Sequence, residues 1–136
     1  NFPQTAKELG APALHLPLPR LRALSPEERA AFPVLGASCH SLEDVREAAE
    51  LGCSYGTLGH IFPTGCKPGL PPRGVELLAQ VCQASPLPVY ASGGVGPGNI
   101  AQVRQAGAAG ACVMSGLMTA PDPARLVGQL RKEAEL

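Results

Sequence analysis

Strand-like and helix-like patterns of apolar residues alternate along the whole chain of 136 residues. Five short apolar runs, beginning near residues 12, 34, 54, 87 and 109, have the length and composition of buried strands. Apolar residues at helical spacing occupy the segments around them: 3–9, 25–32, 41–51, 73–84, 99–106 and 121–135. Such alternation with short connections predicts an α/β fold with a parallel sheet and right-handed crossovers.

The ends of these predicted helices carry residues that start or stop a helix. Ser25 followed by Pro26, and Ser41 followed by Asp44 three residues later, are typical of helix N-termini. Glycine, which adopts a positive φ without strain, closes three of the helices: Gly10, Gly52 and Gly107. The local signals therefore agree with the boundaries that the apolar pattern predicts.

The composition narrows the classes of function. The 11 basic and 11 acidic residues balance, which argues against a surface built for nucleic acid. No apolar run approaches the roughly 20 residues of a membrane span, and no signal peptide opens the chain. The five cysteines form no Cys-x-x-Cys pair, which fits a reducing cytoplasm better than a disulfide framework or a zinc site. We therefore expect a cytoplasmic protein that binds neither nucleic acid nor a membrane.

The cysteines fall into two contexts. Cys53, Cys82 and Cys112 lie in apolar strand or helix segments, and we predict them to be small core residues. Cys66 lies in a loop and could be a reactive thiol, although no base is fixed beside it in sequence.

His15 lies within the first predicted strand. It alternates with Leu14 and Leu16, so its side chain faces the opposite side of the sheet from theirs. That position is compatible with a pocket or with a hydrogen-bonded histidine in a core.

The longest predicted loop follows the third strand, over residues 59–72. It contains His60, Thr64, Cys66 and Lys67, together with glycines and prolines. It is either a Gly/Pro-rich connector or a carrier of chemistry, because a rigid sheet positions the loops at the carboxyl ends of its strands.

Two glycine-bearing loops follow the last two predicted strands. Gly93-Gly94 precedes a helix, where exposed N–H groups form an anion site, and Ser115-Gly116 follows the final strand. A (β/α)₈ barrel has its phosphate site in two such successive loops. A doubly wound sheet is the alternative, but no Gly-x-Gly-x-x-Gly follows the first predicted strand.

Four motifs, in order, resemble the thiamin phosphate synthase superfamily. They are Gly36-x-Ser38-x-His40-Ser41, Gly59-His60-Ile61-Phe62-Pro63-Thr64-x-x-Lys67, Pro88-Val89-x-Ala91-x-Gly93-Gly94-Val95 and Val113-Met114-Ser115-Gly116. The resemblance implies a (β/α)₈ TIM barrel. The five βα units would be the fourth to the eighth, so residues 1–136 would form the C-terminal part of one barrel domain without its first three units.

One position distinguishes the branches of this superfamily. The synthases usually have proline where this chain has His60, and the histidine resembles the thiazole tautomerases of the TenI type. This resemblance implies a metal-independent isomerase of thiamin biosynthesis, which converts a dihydro-thiazole carboxylate phosphate into its aromatic tautomer. One imidazole with a pKa near neutrality can remove and deliver the proton.

The resemblance also implies roles for individual residues. His60 would be the catalytic acid and base, without a cofactor or a metal. Side chains and backbone N–H groups that bind the carboxylate or phosphate of the substrate would come from seven residues: Ser38, Thr64, Lys67, Gly93, Gly94, Ser115 and Gly116. The partner would be a small phosphorylated thiazole, and a homo-oligomer is plausible for a small barrel.

Two alternatives remain at this point. The first is a thiamin phosphate synthase, which couples a pyrimidine diphosphate to a thiazole phosphate with Mg²⁺. In that case Lys67, Thr64 and Ser38 would bind the diphosphate. The second is a non-catalytic protein that binds a phosphorylated ligand.

Overall fold

The computed structural model describes residues 2–134 and shows an α/β fold. The strands are β1 (Ala13–Pro17), β2 (Val34–Cys39), β3 (Tyr55–Gly59), β4 (Val89–Ser92) and β5 (Gly110–Cys112). The helices are α1 (Pro3–Glu8), α2 (Leu18–Arg22), α3 (Pro26–Ala30), α4 (Leu42–Glu50), α5 (Val75–Ala84), α6 (Ile100–Gln105), α7 (Ser115–Met118) and α8 (Pro123–Ala134). Every predicted strand and helix is present, and the predicted helix end at Glu135 lies outside the described residues.

The strands form one parallel sheet in sequence order, β1-β2-β3-β4-β5. Each strand therefore pairs with the next one along the chain, and the order never reverses. A doubly wound sheet needs such a reversal, so the alternative topology is wrong for this chain. The eight-stranded barrel itself stays a prediction.

Two short helices were not predicted from the sequence. One of them, α2, begins directly after Pro17 and has Pro19 in its first turn. Proline is accommodated in the first turn of a helix, because the N–H groups there have no partner within the helix. Ser115 and Gly116 likewise belong to the single-turn helix α7 rather than to a loop.

Two of the predicted helix N-termini are stabilised by the expected capping hydrogen bonds. Ser25 Oγ accepts a hydrogen bond from the Glu28 backbone N–H at 3.2 Å, and the Glu28 carboxylate accepts one from the Ser25 N–H at 2.7 Å. Ser41 Oγ accepts from the Asp44 N–H at 3.1 Å. These caps satisfy N–H groups that the first helical turn leaves free.

The two faces of the sheet differ in character. One face, which we call the apolar face, is buried and consists of Leu16, Leu35, Ala37, Leu58, Val89 and Ala91. The other, which we call the polar face, is at least partly exposed and consists of His15, Ser38, Tyr55, Thr57, Tyr90, Ser92 and Cys112. The alternation of side chains along a strand separates the two sets.

The cysteines only partly follow the prediction of core positions. Cys53 is buried and Cys82 is half-buried, whereas Cys112 is exposed. Cys112 pairs in register with Ser92, and its neighbour Ala111 packs against the core on the opposite side. The predicted core position of Cys112 is therefore wrong, because alternation places its side chain on the polar face.

Candidate functional site

A cavity of about 290 Å³ lies at the carboxyl ends of β2 to β5. Seven of the eight predicted site residues line it: Ser38, His60, Thr64, Lys67, Gly93, Gly94 and Ser115. Gly116, the eighth, is not among the lining residues. The parallel sheet brings these residues together because all of its strands end at the same edge.

The loop after β3 is tied to the sheet where it begins. The Ile61 N–H donates to the Ser92 carbonyl at 2.9 Å, and the Phe62 N–H donates to the Gly93 carbonyl at 3.1 Å. These two bonds continue the pairing of β3 with β4 beyond the strands themselves. The start of the loop is consequently an extension of the sheet.

The same loop is also closed on itself at its base. The Arg73 and Gly74 N–H groups donate to the carbonyls of His60 and Ile61 at 2.9 and 3.1 Å. The Arg73 side chain adds a bond from Nε to the Gly59 carbonyl at 2.7 Å. The two ends of the loop over residues 60–74 are therefore bonded to each other at the sheet, and the tip of the loop lines the cavity.

Gly93 and Gly94 make a close approach to this loop. Both have positive φ values, of 85° and 69°. A Cβ on Gly93 would lie 2.2 Å from the His60 Cβ, and one on Gly94 would lie 2.5 Å from the Pro63 carbonyl oxygen. Glycine is thus required here for packing between two loops, in addition to any contact with an anion.

His60 is buried, with 6% of its surface exposed. Its Nε2 lies 3.2 Å from the Leu70 carbonyl oxygen. A carbonyl oxygen only accepts, so Nε2 carries the proton and donates it to this bond. The imidazole therefore joins the start of the loop to its far end.

The tip of the loop presents Lys67. Thr64 stabilises the turn, because its Oγ1 accepts from the Cys66 N–H at 3.3 Å and its carbonyl accepts from the Lys67 N–H at 3.2 Å. Lys67 and Cys66 are both exposed and line the cavity. A cation held at this position suits an anionic ligand.

Ser38 is held from the polar face by a histidine. His15 Nε2 lies 3.0 Å from Ser38 Oγ, and His15 Nδ1 lies 3.0 Å from the Tyr55 hydroxyl oxygen. Burial lowers the pKa of His15 and raises the pKa of Tyr55. The sequence left His15 open between a pocket and a core, and the structure places it on the polar face with both ring nitrogens engaged.

Sequence reasoning missed several residues that line the cavity. His40 is exposed, with Nδ1 at 3.5 Å from Asp44 Oδ2. Thr57, Ser92 and Cys112 line the cavity from the ends of β3, β4 and β5. Their signal was available in the period-two alternation, which puts them on the face of the sheet that carries Ser38.

The described residues hold no group of three or more His, Cys, Asp or Glu side chains that could bind a metal ion. The magnesium of the synthase alternative prefers carboxylate and phosphate oxygens. In the part of the chain that the structure describes, no such group of three carboxylates is present to hold it. Within residues 2–134, no helix has both the length and the apolar character needed to cross a membrane.

The chain is similar to proteins named thiamine-phosphate synthase. It is 40% identical over 129 residues to one from Albidiferax ferrireducens, covering 90% of this chain and 57% of that protein. It is 35% identical over 133 residues to one from Thermus thermophilus, covering 96% of this chain and 63% of that protein. Among solved structures, the thiamine phosphate pyrophosphorylase from Pyrococcus furiosus is 29% identical with a TM-score of 0.80, and the match covers 98% of this chain and 64% of that chain. This chain thus spans less than two thirds of each.

These relatives correct the predicted activity. The Gly59-His60 motif favoured a thiazole tautomerase, an isomerase with His60 as its acid and base, but relatives at 35–40% identity are named thiamine-phosphate synthase. The assignment of a tautomerase was therefore wrong. In the structure His60 is buried and its Nε2 bonds the Leu70 carbonyl, so its side chain links the two ends of the loop.

The family comparison covers most of the chain. The family described as thiamine monophosphate synthase matches residues 3–117, which include β1 to β5, the loop of His60 and the glycines after β4. The chain belongs to the thiamine monophosphate synthase family.

Proposed function

We propose that this chain carries the phosphate-binding part of a thiamin phosphate synthase, which couples a pyrimidine diphosphate to a thiazole phosphate. One observation supports this most directly. Ser38, Lys67 and the Gly93-Gly94 turn meet in one cavity, in a chain whose relatives are named for that reaction.

The coupling makes clear demands on a site. A bond forms between the thiazole and the carbon of the pyrimidine partner, while the carbon–oxygen bond to the diphosphate breaks. The leaving diphosphate takes the electron pair, so negative charge grows on its oxygens. Catalysis then depends on donors that already point at the place where this charge develops.

The cavity offers such donors from separate elements. The Lys67 ammonium at the loop tip and the Ser38 hydroxyl at the end of β2 would bind the diphosphate, with Thr64 fixing the turn between them and the sheet. The N–H groups of Gly93 and Gly94 would bind a phosphate oxygen. Ser115, which also lines the cavity, would add a hydroxyl.

His60 takes a positioning role in this proposal. Its bond to the Leu70 carbonyl spans the loop that carries Lys67, and its backbone contacts Gly93. The side chain therefore sets the distance between the loop tip and the glycine turn. No proton transfer by His60 is needed for the coupling.

The polar face suggests the architecture of the whole protein. An exposed row of polar side chains and two unpaired sheet edges suit a larger sheet that curves around them. We propose that the five βα units are the fourth to the eighth of a (β/α)₈ barrel, with the polar face toward its interior.

The test is an assay of thiamin phosphate formation from the two substrates, with Mg²⁺ present, for the complete wild-type protein and its Lys67→Ala and Lys132→Ala variants. Lys132 is exposed on α8, away from the cavity, and controls for loss of charge. We expect Lys67→Ala to lower kcat/KM by about 10²-fold, and Lys132→Ala to leave it unchanged. Absence of product with the wild type would overturn the proposal, and binding of thiazole phosphate without product would favour a non-catalytic binder.

A further inference from the structure

A continuous chain of hydrogen bonds crosses three neighbouring strands of the polar face. It runs from the Tyr55 hydroxyl through the His15 imidazole to the Ser38 hydroxyl, with both distances at 3.0 Å. We propose that Tyr55 and His15 are positioning residues that direct the Ser38 proton into the cavity, toward an anionic oxygen of the ligand. The identity of that ligand, and with it the direction of donation, rests on the proposed function, whereas the hydrogen-bonded arrangement of the three side chains does not.

The sheet register builds this arrangement around a glycine. His15 on β1 and Tyr55 on β3 both pair with Gly36, which lies on β2 between them. A Cβ on Gly36 would lie 2.2 Å from Tyr55 Cζ and 2.6 Å from His15 Nδ1. The two side chains can therefore meet over β2 only because residue 36 has no side chain.

The ring of Tyr55 is held from its other side as well. It packs edge-on against Tyr90, with ring centroids 5.7 Å apart and an interplanar angle of 81°. Its centroid lies 5.5 Å from that of His15. Aromatic contacts on both sides restrict the rotation that would break the hydrogen bond to His15.

The chemistry of the three groups allows two directions of donation. A neutral imidazole has one donor and one acceptor, and a phenol and a hydroxyl can each do both. In the first direction Tyr55 donates to Nδ1 and Nε2–H donates to Ser38, whose own proton is then free for the cavity. In the second direction, the Ser38 hydroxyl donates its hydrogen bond to Nε2 and presents only lone pairs to the cavity.

An anionic ligand discriminates between these two directions. Phosphate oxygens that carry negative charge accept hydrogen bonds, so they need the first direction. Burial favours the uncharged forms of His15 and Tyr55, because it lowers the pKa of the imidazole and raises that of the phenol. At neutral pH both groups are then uncharged, and the hydrogen bonds run in one direction, from Tyr55 through His15 to Ser38. We call this chain of hydrogen bonds the relay.

Removing the Tyr55 hydroxyl frees the imidazole to adopt either tautomer. Tyr55→Phe keeps the ring and its packing, so the fold is retained, while Ser38 can now donate back to Nε2. We expect affinity for inorganic diphosphate to fall by about three- to tenfold, the range of one lost hydrogen bond. Tyr90→Phe, on the same face, is the matched control and should leave the affinity unchanged.

Two measurements test the relay. The first is the tautomer of His15, read from its ¹⁵N chemical shifts in the protein with inorganic diphosphate added. The chain has three histidines, so His40→Gln and His60→Gln complete the assignment. We expect the Nε2–H tautomer in the wild type and a mixture in Tyr55→Phe. The Nδ1–H tautomer in the wild type would overturn the proposal.

The second measurement is calorimetric binding of inorganic diphosphate to the wild type, Tyr55→Phe, Ser38→Ala and the double variant. If Tyr55 acts through Ser38, its substitution should have no further effect once Ser38 is alanine. An equal loss in both backgrounds, or no binding by the wild type, would overturn the proposal. Neither readout requires turnover, so an inactive protein with the Nε2–H tautomer and coupled variants would refute the synthase while leaving the relay in place.

Discussion

The apolar and polar faces of the sheet are built from the same five strands but do different work. On the apolar face, Leu58 is fully buried among helices, and its partners are other hydrocarbon side chains. One residue earlier in the same strand, Thr57 lines the cavity. Successive side chains of a strand point to opposite faces of the sheet. One strand can therefore contribute to the core with one residue and to the cavity with the next.

The largest expected effect on stability comes from a substitution on the apolar face. Leu58→Ala leaves a cavity in the core and should lower the free energy of unfolding by about 2–5 kcal/mol. Thr57→Ala, on the polar face, should cost about 1 kcal/mol or less, since its Oγ1 makes one long bond of 3.5 Å to the Ala37 carbonyl. Urea denaturation of both variants measures the difference. Equal losses would mean that the polar face is as important for stability as the core.

A second prediction sharpens the comparison at the carboxyl edge, where the two loops meet. Gly93 and Gly98 have nearly equal φ values, of 85° and 84°, but only Gly93 lies against another loop. Gly98→Ala should cost about 1–2 kcal/mol from backbone strain. Gly93→Ala should cost about 1–3 kcal/mol more, because its Cβ would overlap His60.

The measurement for this pair is the unfolding free energy together with the affinity for inorganic diphosphate. We expect Gly93→Ala to lower both and Gly98→Ala to lower stability alone. If the two variants weaken binding equally, the close approach of the loops does not control the cavity.

The smallest effect belongs to an ion pair among the helices on the apolar side. The Arg22 guanidinium donates to the Glu47 carboxylate at 2.5 and 2.7 Å, which lowers the pKa of that carboxyl. Because the carboxyl has a lower pKa in the folded state than in the unfolded state, the ion pair stabilises the fold fully at pH values above the usual carboxyl pKa, which is near 4. This stabilisation is lost as the pH falls through the lowered pKa of the folded state.

Melting temperatures between pH 7 and pH 3 test this contribution. The wild type should melt slightly higher than Arg22→Ala at pH 7, and the gap should close toward pH 3. Arg46→Ala, which removes another exposed arginine, should show no such pH-dependent gap. A gap that persists at pH 3 would assign the role of Arg22 to packing rather than to charge.

The sequence predicted the strands and their order along the chain well, because alternation and helix caps are local signals. Ser25, Ser41 and Gly52 each act where their residue types indicated. The helix α2 was missed because two prolines within three residues resemble a break, although a first turn accommodates them. Local signals fail where one residue type suits two structures.

The candidate site was predicted in location but not in its contacts. Position in the loops identified Ser38, His60 and Lys67, and the sheet indeed gathers them. The bond of His60 to Leu70 depends on the path of a ten-residue loop, and the relay through His15 depends on register across three strands. Neither contact is encoded in a local pattern.

The tied base of the loop over residues 60–74 has a thermodynamic consequence. A loop that was disordered before binding would lose conformational entropy over many residues as it closed on a ligand. Here the bonds from Arg73 and Gly74 to His60 and Ile61 have already fixed the backbone at both ends. On the proposed function, the entropy lost on binding would then fall mainly on the loop tip around Lys67, so more of each ionic contact would remain as affinity.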